Sequence, residues 1–301
     1  MEHYDWNDGW LFTPVFDPAI VRPECPELTL EPVRLPHTVK ALPYNYCNEN
    51  DYQKLSGYRR EFFAPKEWEG RTVLLTFGAV AHDATVFCNG RRVFHHSCGY
   101  TAFTVDLTSA LHLGQKNVVA VRCDSREDLN IPPFGGQLDA LTYGGIYRDV
   151  SLLVVNKNHI ALGHFGDTGV KITPTLKEGS ADIRVETLVE GSGTVTVELL
   201  DAEGRTAAKG EGENTFLHLD APHLWNGVKD PYLYTCVVRL LQDGKPVDEV
   251  TTKVGLRSFS VDAKKGFFLN GKPYPLHGVS RHQDRKGLGN AITREMHDED
   301  M

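Results

Sequence analysis

Asp139 lies in Asp128-Leu-Asn-Ile-Pro-Pro-Phe-Gly-Gly-Gln-Leu-Asp-Ala-Leu-Thr-Tyr143, a long stretch rich in Pro and Gly. Long ordered connections inside compact domains are often functional. A carboxylate there can accept hydrogen bonds from hydroxyl groups or ligate a hard cation through oxygen. His282 stands in a second polar stretch, Arg281 to Asn290. Its imidazole can donate or accept a hydrogen bond, and Arg281 and Asp284 beside it are expected to orient the loop. Cys88, His95, His96 and Cys98 gather residue types that bind zinc, but at a spacing that matches no finger or ribbon. Buried thiols and strand-end histidines in a β-hairpin are the expectation for that cluster. The acidic run Asp298-Glu-Asp300 reads as the solvated first turns of a helix, not as a catalytic pair. Trp225 and Tyr232 are expected in a core, not on a sugar-stacking platform.

The composition bounds what these residues can serve. At a soft prior of roughly 150 residues per domain, 301 residues suggest about two domains. Lys and Arg number 32 against 40 Asp and Glu, a net charge of −8, so no basic surplus exists to neutralise nucleic-acid phosphates. With 41% hydrophobic residues the chain is too apolar for disorder. Its longest apolar runs, Val118 to Val121 and Val150 to Val155, fall far short of the ~20 residues of a spanning helix, so no membrane is expected. The opening Met1-Glu-His-Tyr-Asp is acidic, with none of the basic start and apolar stretch of a secretory signal. Six cysteines without a C-x-x-C read as free thiols in a reducing compartment, and a cytoplasmic protein is expected.

The elements that must position the site are strands. Arg71 to Phe77, Ala84 to Cys88, Arg91 to Phe94, Asn117 to Cys123 and Arg148 to Val155 are rich in β-branched and aromatic residues. Asn89-Gly90 between two of them predicts a type I′ hairpin, since both turn positions need positive φ. Leu107 to Leu113 hints at a helical turn or two, ending at Gly114. A second β region starts near Asn156, with alternation over Asp182–Val189, Gly193–Leu200 and Tyr232–Leu241 and turns at Asp201–Gly204 and Gln242–Pro246. About seven short strands in roughly 105 residues fit an immunoglobulin-like sandwich. In the last forty residues an Asn270-Gly271 hairpin precedes a short strand at Leu276–Ser280, a polar loop, and a helix capped by Thr293. That is the opening of a βα unit, which cannot bury its own faces, so the chain is expected to be truncated.

In order and spacing these motifs resemble glycoside hydrolase family 2, the β-galactosidase and β-glucuronidase group. Gly57-Tyr-Arg-Arg-Glu-Phe62, Trp68-Glu-Gly70, Gly99-Tyr-Thr-Ala-Phe103 and above all Gly144-Gly-Ile-Tyr-Arg-Asp-Val150 resemble its sugar-binding domain. Leu224-Trp225, Asp230-Pro-Tyr-Leu-Tyr234 and Gly255-Leu-Arg257 resemble its second domain. Phe268-Leu-Asn-Gly-Lys-Pro273 with Gly278-Val-Ser-Arg-His282 resembles the entry to its catalytic barrel.

The resemblance implies an all-β fold: a jelly-roll sandwich over 1–155, an immunoglobulin-like sandwich over 156–260, and over 261–301 the first βα segment of a truncated (β/α)8 barrel. It implies retaining hydrolysis of β-galactosides, with β-glucuronidase as the alternative. It makes His282 a substrate contact at the catalytic face of the barrel. It gives Asp139 the galactose 6-hydroxyl and a sodium ion, and it brings Asn50 and Asp51 toward the sugar from the first domain. Both catalytic glutamates of the family belong to later barrel strands, so residues 1–301 are expected to be inactive alone. No cofactor is expected within them; sodium and magnesium, and a homo-oligomer, are expected of the full-length enzyme. A stand-alone carbohydrate-binding module is the rival reading, since jelly rolls commonly carry lectin sites.

Overall fold

The structure is a computed structural model that describes residues 1–25, 28–136 and 141–301. It is built almost wholly of strands. Among the described residues every helical segment before Arg294 is a single 3-10 turn. Two compact units form, Met1–Val155 with Arg281–Met301, and Asn156–Ser280.

In the first unit a six-stranded antiparallel sheet runs Glu31–Val33, Trp10–Thr13, Leu55–Ala64, Gln115–Asp124, Asp83–Cys88, Arg91–His96. A four-stranded sheet runs Glu2–Asp5, Val150–Asn156, Arg71–Phe77, Phe103–Asp106. Alternation decides which side chains meet between them. Val73, Leu75 and Phe77 are buried, while Leu74 and Thr76 between them are only half-buried. They share one core with Trp10, Tyr58, Val86, Val119 and Val121 of the larger sheet. Asn89 and Gly90 take φ of 51° and 82°, the geometry that a two-residue hairpin demands. Asn89 also donates to Asn117, whose buried amide is fully occupied by His112, Gln115 and Asn89.

His37 sits at the edge of this core. Its Nδ1 is 2.8 Å from Tyr58 Oη and its ring packs on Phe12. Burial pushes the imidazole down to about 4 from 6.5. The folded state therefore binds this proton more weakly than the unfolded chain does. Stability is intact above pH 6.5 and falls as pH drops from 6.5 toward 4, by on the order of 2 kcal/mol. Urea unfolding at pH 7.5 and 4.5 checks this: His37→Gln should lose that part of the acid sensitivity. An unchanged pH difference would assign it to other groups.

The second unit packs a three-stranded sheet, Val170–Lys177, Ser180–Thr187 and Asn214–Asp220, and a four-stranded sheet, Thr206–Glu211, Thr194–Leu200, Tyr234–Gln242 and Lys245–Val254. Its core joins Ile183, Val185 and Leu217 with Val195, Val197, Val238 and Leu240. The Asp243-Gly244 and Asn270-Gly271 turns close hairpins with positive φ at all four residues.

The last residues depart from expectation in one place. Leu276–Ser280 forms no strand. Leu276 and Val279 are exposed, and no described strand lies beside them to complete a ladder. The helix follows as expected at Arg294–Asp300, with Thr293 at its N-cap, although the Thr293 side chain makes no capping hydrogen bond.

Candidate functional site

A cleft of about 340 Å³ opens in the first unit, walled by His82, Tyr100, Tyr143, Arg148, His282 and Asp284 among others. The Gly144-Gly-Ile-Tyr-Arg motif builds one wall. Val39 N–H donates to Gly144 at 3.0 Å, His37 N–H to Ile146 at 2.8 Å and Ala81 N–H to Gly145 at 3.0 Å, so the motif is held from both sides. Gly145 has φ 114°, and a Cβ there would stand 2.5 Å from the His37 carbonyl oxygen. Only glycine fits that position. This threading sets Tyr143 before the motif and Tyr147 and Arg148 within it. Tyr147 Oη donates to Gly99 at 2.5 Å and Arg148 Nη1 to Tyr100 at 3.1 Å, which ties down the loop that carries Tyr100.

The opposite wall is the segment 282–290. It is pinned by an Arg285–Gly289 bridge and by Gly287 N–H donating to Leu42 at 3.1 Å. Arg281 pairs with Asp300 and Arg285 with Glu299, so both arginines turn to the C-terminal helix. The walls meet where Tyr143 Oη donates to Asp284 Oδ2 at 3.4 Å. The Tyr143 phenol is pushed up to about 12 by burial and by Asp284, so it stays a donor at neutral pH. Behind it, Tyr52 packs edge-on at 5.4 Å. Glu127 accepts from Gly136 N–H and from Thr142 Oγ1, both at 2.8 Å, and so clamps the two sides of the segment that contains Asp139.

Two sequence profiles match this chain: "Glycosyl hydrolases family 2, sugar binding domain" over residues 32–156 and "Glycosyl hydrolases family 2" over 164–257. The chain belongs to glycosyl hydrolase family 2. A β-glucuronidase of Bacteroides fragilis is 36% identical over 89% of this family 2 chain and 41% of its own length. A β-galactosidase of Thermoanaerobacter pseudethanolicus is 32% identical over 96% of this chain and 40% of its own length. The structure of Bacteroides uniformis β-glucuronidase 2, covalently bound to cyclophellitol-6-carboxylate aziridine, superposes with a TM-score of 0.87 at 29% identity, over 99% of this chain and 38% of that one. The chain thus spans less than half the length of these relatives.

Of the site residues expected from the family motifs, His282 lines the cleft with Asp284. Asp139 lies outside the described residues. Asn50 and Asp51 belong to the short 3-10 turn Glu49–Asp51, are exposed, and do not line the cleft, although Tyr52 directly after them supports Tyr143. Among the described residues no three His, Cys, Asp or Glu side chains converge to hold a metal ion. Cys88 is buried with its thiol toward the Ala110 carbonyl, and His95 and His96 end a strand on Asp83 and Thr101. In the second unit Tyr232 packs on the core and stacks on His223, while Trp225 lies under the Arg257 guanidinium. The chain alone gave no pointer to His82, Glu127 or Tyr52. A lone tyrosine or glutamate has no spacing to read, and only the closeness of Glu127 to the Pro- and Gly-rich stretch could have drawn attention to it.

Proposed function

We propose that this chain is the sugar-binding portion of a retaining family 2 glycosidase that acts on terminal β-D-galactosides. The observation that carries this is the convergence of His282 and Asp284 with Tyr143 of the Gly-Gly-Ile motif in one cleft. In this reading residues 1–155 are a jelly roll, 156–260 an immunoglobulin-like sandwich and 261–301 the entry to a catalytic barrel. Retaining hydrolysis needs two carboxyl groups about 5–5.5 Å apart, one as nucleophile and one as acid/base. The residues of this chain bind and orient: His282 can share a hydrogen bond with a sugar hydroxyl, Asp284 can accept one, and Asp139 takes the group on the sugar's sixth carbon. A cytoplasmic, oligomeric enzyme completes the reading.

Charge supports galactose at that carbon. A uronic acid would set a second carboxylate against Asp139, and two unit charges ~4 Å apart repel by about 4 kcal/mol at an effective dielectric near 20. Arg281 and Arg285, which could have relieved this, are paired with Asp300 and Glu299. The β-glucuronidases among the relatives, and the Arg148 cation in the cleft wall, favour the glucuronide reading. Matched nitrophenyl galactoside and glucuronide decide between them, using an enzyme that carries this chain with a catalytic barrel. The galactoside should be preferred, and Asp139→Asn should lower its kcat/KM by about tenfold or more, roughly 1.4 kcal/mol. Preference for the glucuronide overturns the galactoside reading.

A further inference from the structure

The His82 side chain makes no hydrogen bond, yet His82 forms part of the cleft wall. The residue is 4% exposed, and neither ring nitrogen has a hydrogen-bond partner. Buried polar groups in native proteins are paired with few exceptions, and each exception asks for a missing partner. The backbone fixes the residue firmly, since His82 N–H donates to the Asp124 carbonyl oxygen at 2.7 Å just before the strand Asp83–Cys88. The Nδ1 edge lies against Gly99, where a Cβ would come within 2.8 Å of the nitrogen. Gly99 has no side chain to offer, and its carbonyl is taken by Tyr147. The nearby carboxylates are also occupied: Asp124 holds Arg122 and Arg126, and Glu127 holds Gly136 and Thr142. Among the described residues the protein leaves this imidazole unpaired beside an open cleft.

We propose that His82 is a ligand-binding residue of the cleft: when a hydroxyl-rich ligand enters, the imidazole turns over about Cβ–Cγ and pairs a ring nitrogen with a ligand hydroxyl. The proposal rests on the reading of the cleft as a sugar site. The turn needs no added room, because it exchanges nitrogen and carbon positions in a ring of nearly unchanged outline. The ring's charge state fits a neutral partner. Burial holds the imidazole below the usual histidine range, against the opposing pull of Glu127 and Asp124. A neutral ring has one donor and one acceptor, and a hydroxyl can meet either. The ligand class is therefore a hydroxyl-bearing sugar face, which can meet the ring as donor or as acceptor.

The test uses the 301-residue protein with ¹⁵N-labelled histidine. Methyl β-D-galactopyranoside is the probe, and the methyl glycoside of glucuronic acid is the charged comparison. The His82 ring signals are assigned by their loss in His82→Phe. The galactoside should move them, and the glucuronide should move them less at equal concentration. His82→Phe fills the same space without polar atoms, so it should keep or raise Tm while weakening galactoside binding tenfold or more. His82→Asn should recover part of the loss. If the galactoside shifts His282 but leaves the His82 nitrogens unmoved, the proposal is wrong and the sugar-site reading stands. If it shifts neither, both are wrong. Should the Phe variant fail to fold, the ring signals of the parent protein, assigned through His82→Asn, decide alone.

Discussion

Residues 1–301 assayed alone should leave nitrophenyl β-D-galactoside at the buffer rate. Glycosidase chemistry of the retaining kind divides one hard step between two carboxyl groups on opposite sides of the sugar. Among the described residues that line the cleft, Asp284 is the sole carboxylate, and its Oδ2 already accepts from Tyr143. Asp139 lies outside the described residues, and in the proposed reading it would grip the sixth carbon, away from the bond to be broken. The expected effect is total on the scale of enzymatic acceleration, which is commonly 10⁶-fold or more. Millimolar sugar binding is compatible with this result, because hydrogen-bonding groups persist in the cleft without the catalytic pair. Turnover above the buffer rate that disappears in Asp284→Asn would place hydrolysis within these residues and sink the assignment of this chain to binding.

Local signals carried most of what could be read from the sequence. Asn89-Gly90, Asp243-Gly244 and Asn270-Gly271 each specify a tight hairpin, because turn geometry depends on two adjacent residues alone. Alternation over Gly193–Leu200 is likewise local, and the strand Thr194–Leu200 buries every second residue. Pairing between distant strands was not legible. Glu2–Asp5 lies against Val150–Asn156, with Glu2 opposite Val154, and nothing in an exposed, charged tetrapeptide announces that partner. Leu276–Ser280 failed for the complementary reason: its apolar pattern reads as a strand, but a strand exists only where another pairs with it. At the cleft, His282 was singled out through motif order, whereas His82 and Tyr52 stand out only by their burial, which one-dimensional spacing does not encode.

Arg59→Leu should be the costliest single change in the first unit, on the order of 3–5 kcal/mol. Arg59 is 1% exposed, in the middle of the strand Leu55–Ala64. Its guanidinium donates to the carbonyls of Ile20 at 2.6 Å, Arg22 at 2.7 Å and Pro23 at 3.1 Å, and to Glu61 Oε1 at 2.8 Å. Arg59 is thus the clasp that fastens the chain segment 20–23 onto the large sheet. Hydrogen bonds to a charged donor are worth about 1.5–3 kcal/mol each, but these four break together and their values do not add. Leucine would recover some apolar burial and leave the carbonyls without a donor. Arg59→Lys tests the geometry: it keeps the charge but is a point donor that cannot fork to three carbonyls, so it should restore less than half of the loss. For a unit of this size each kcal/mol lowers Tm by roughly 2–4 °C. Thermal unfolding should show that drop, and the thiol of Cys25, two residues beyond the clasp, should react faster with a thiol reagent. A loss under about 1 kcal/mol with unchanged Cys25 labelling would mean that the segment is held by Ile20 and its apolar contacts, and not by the arginine.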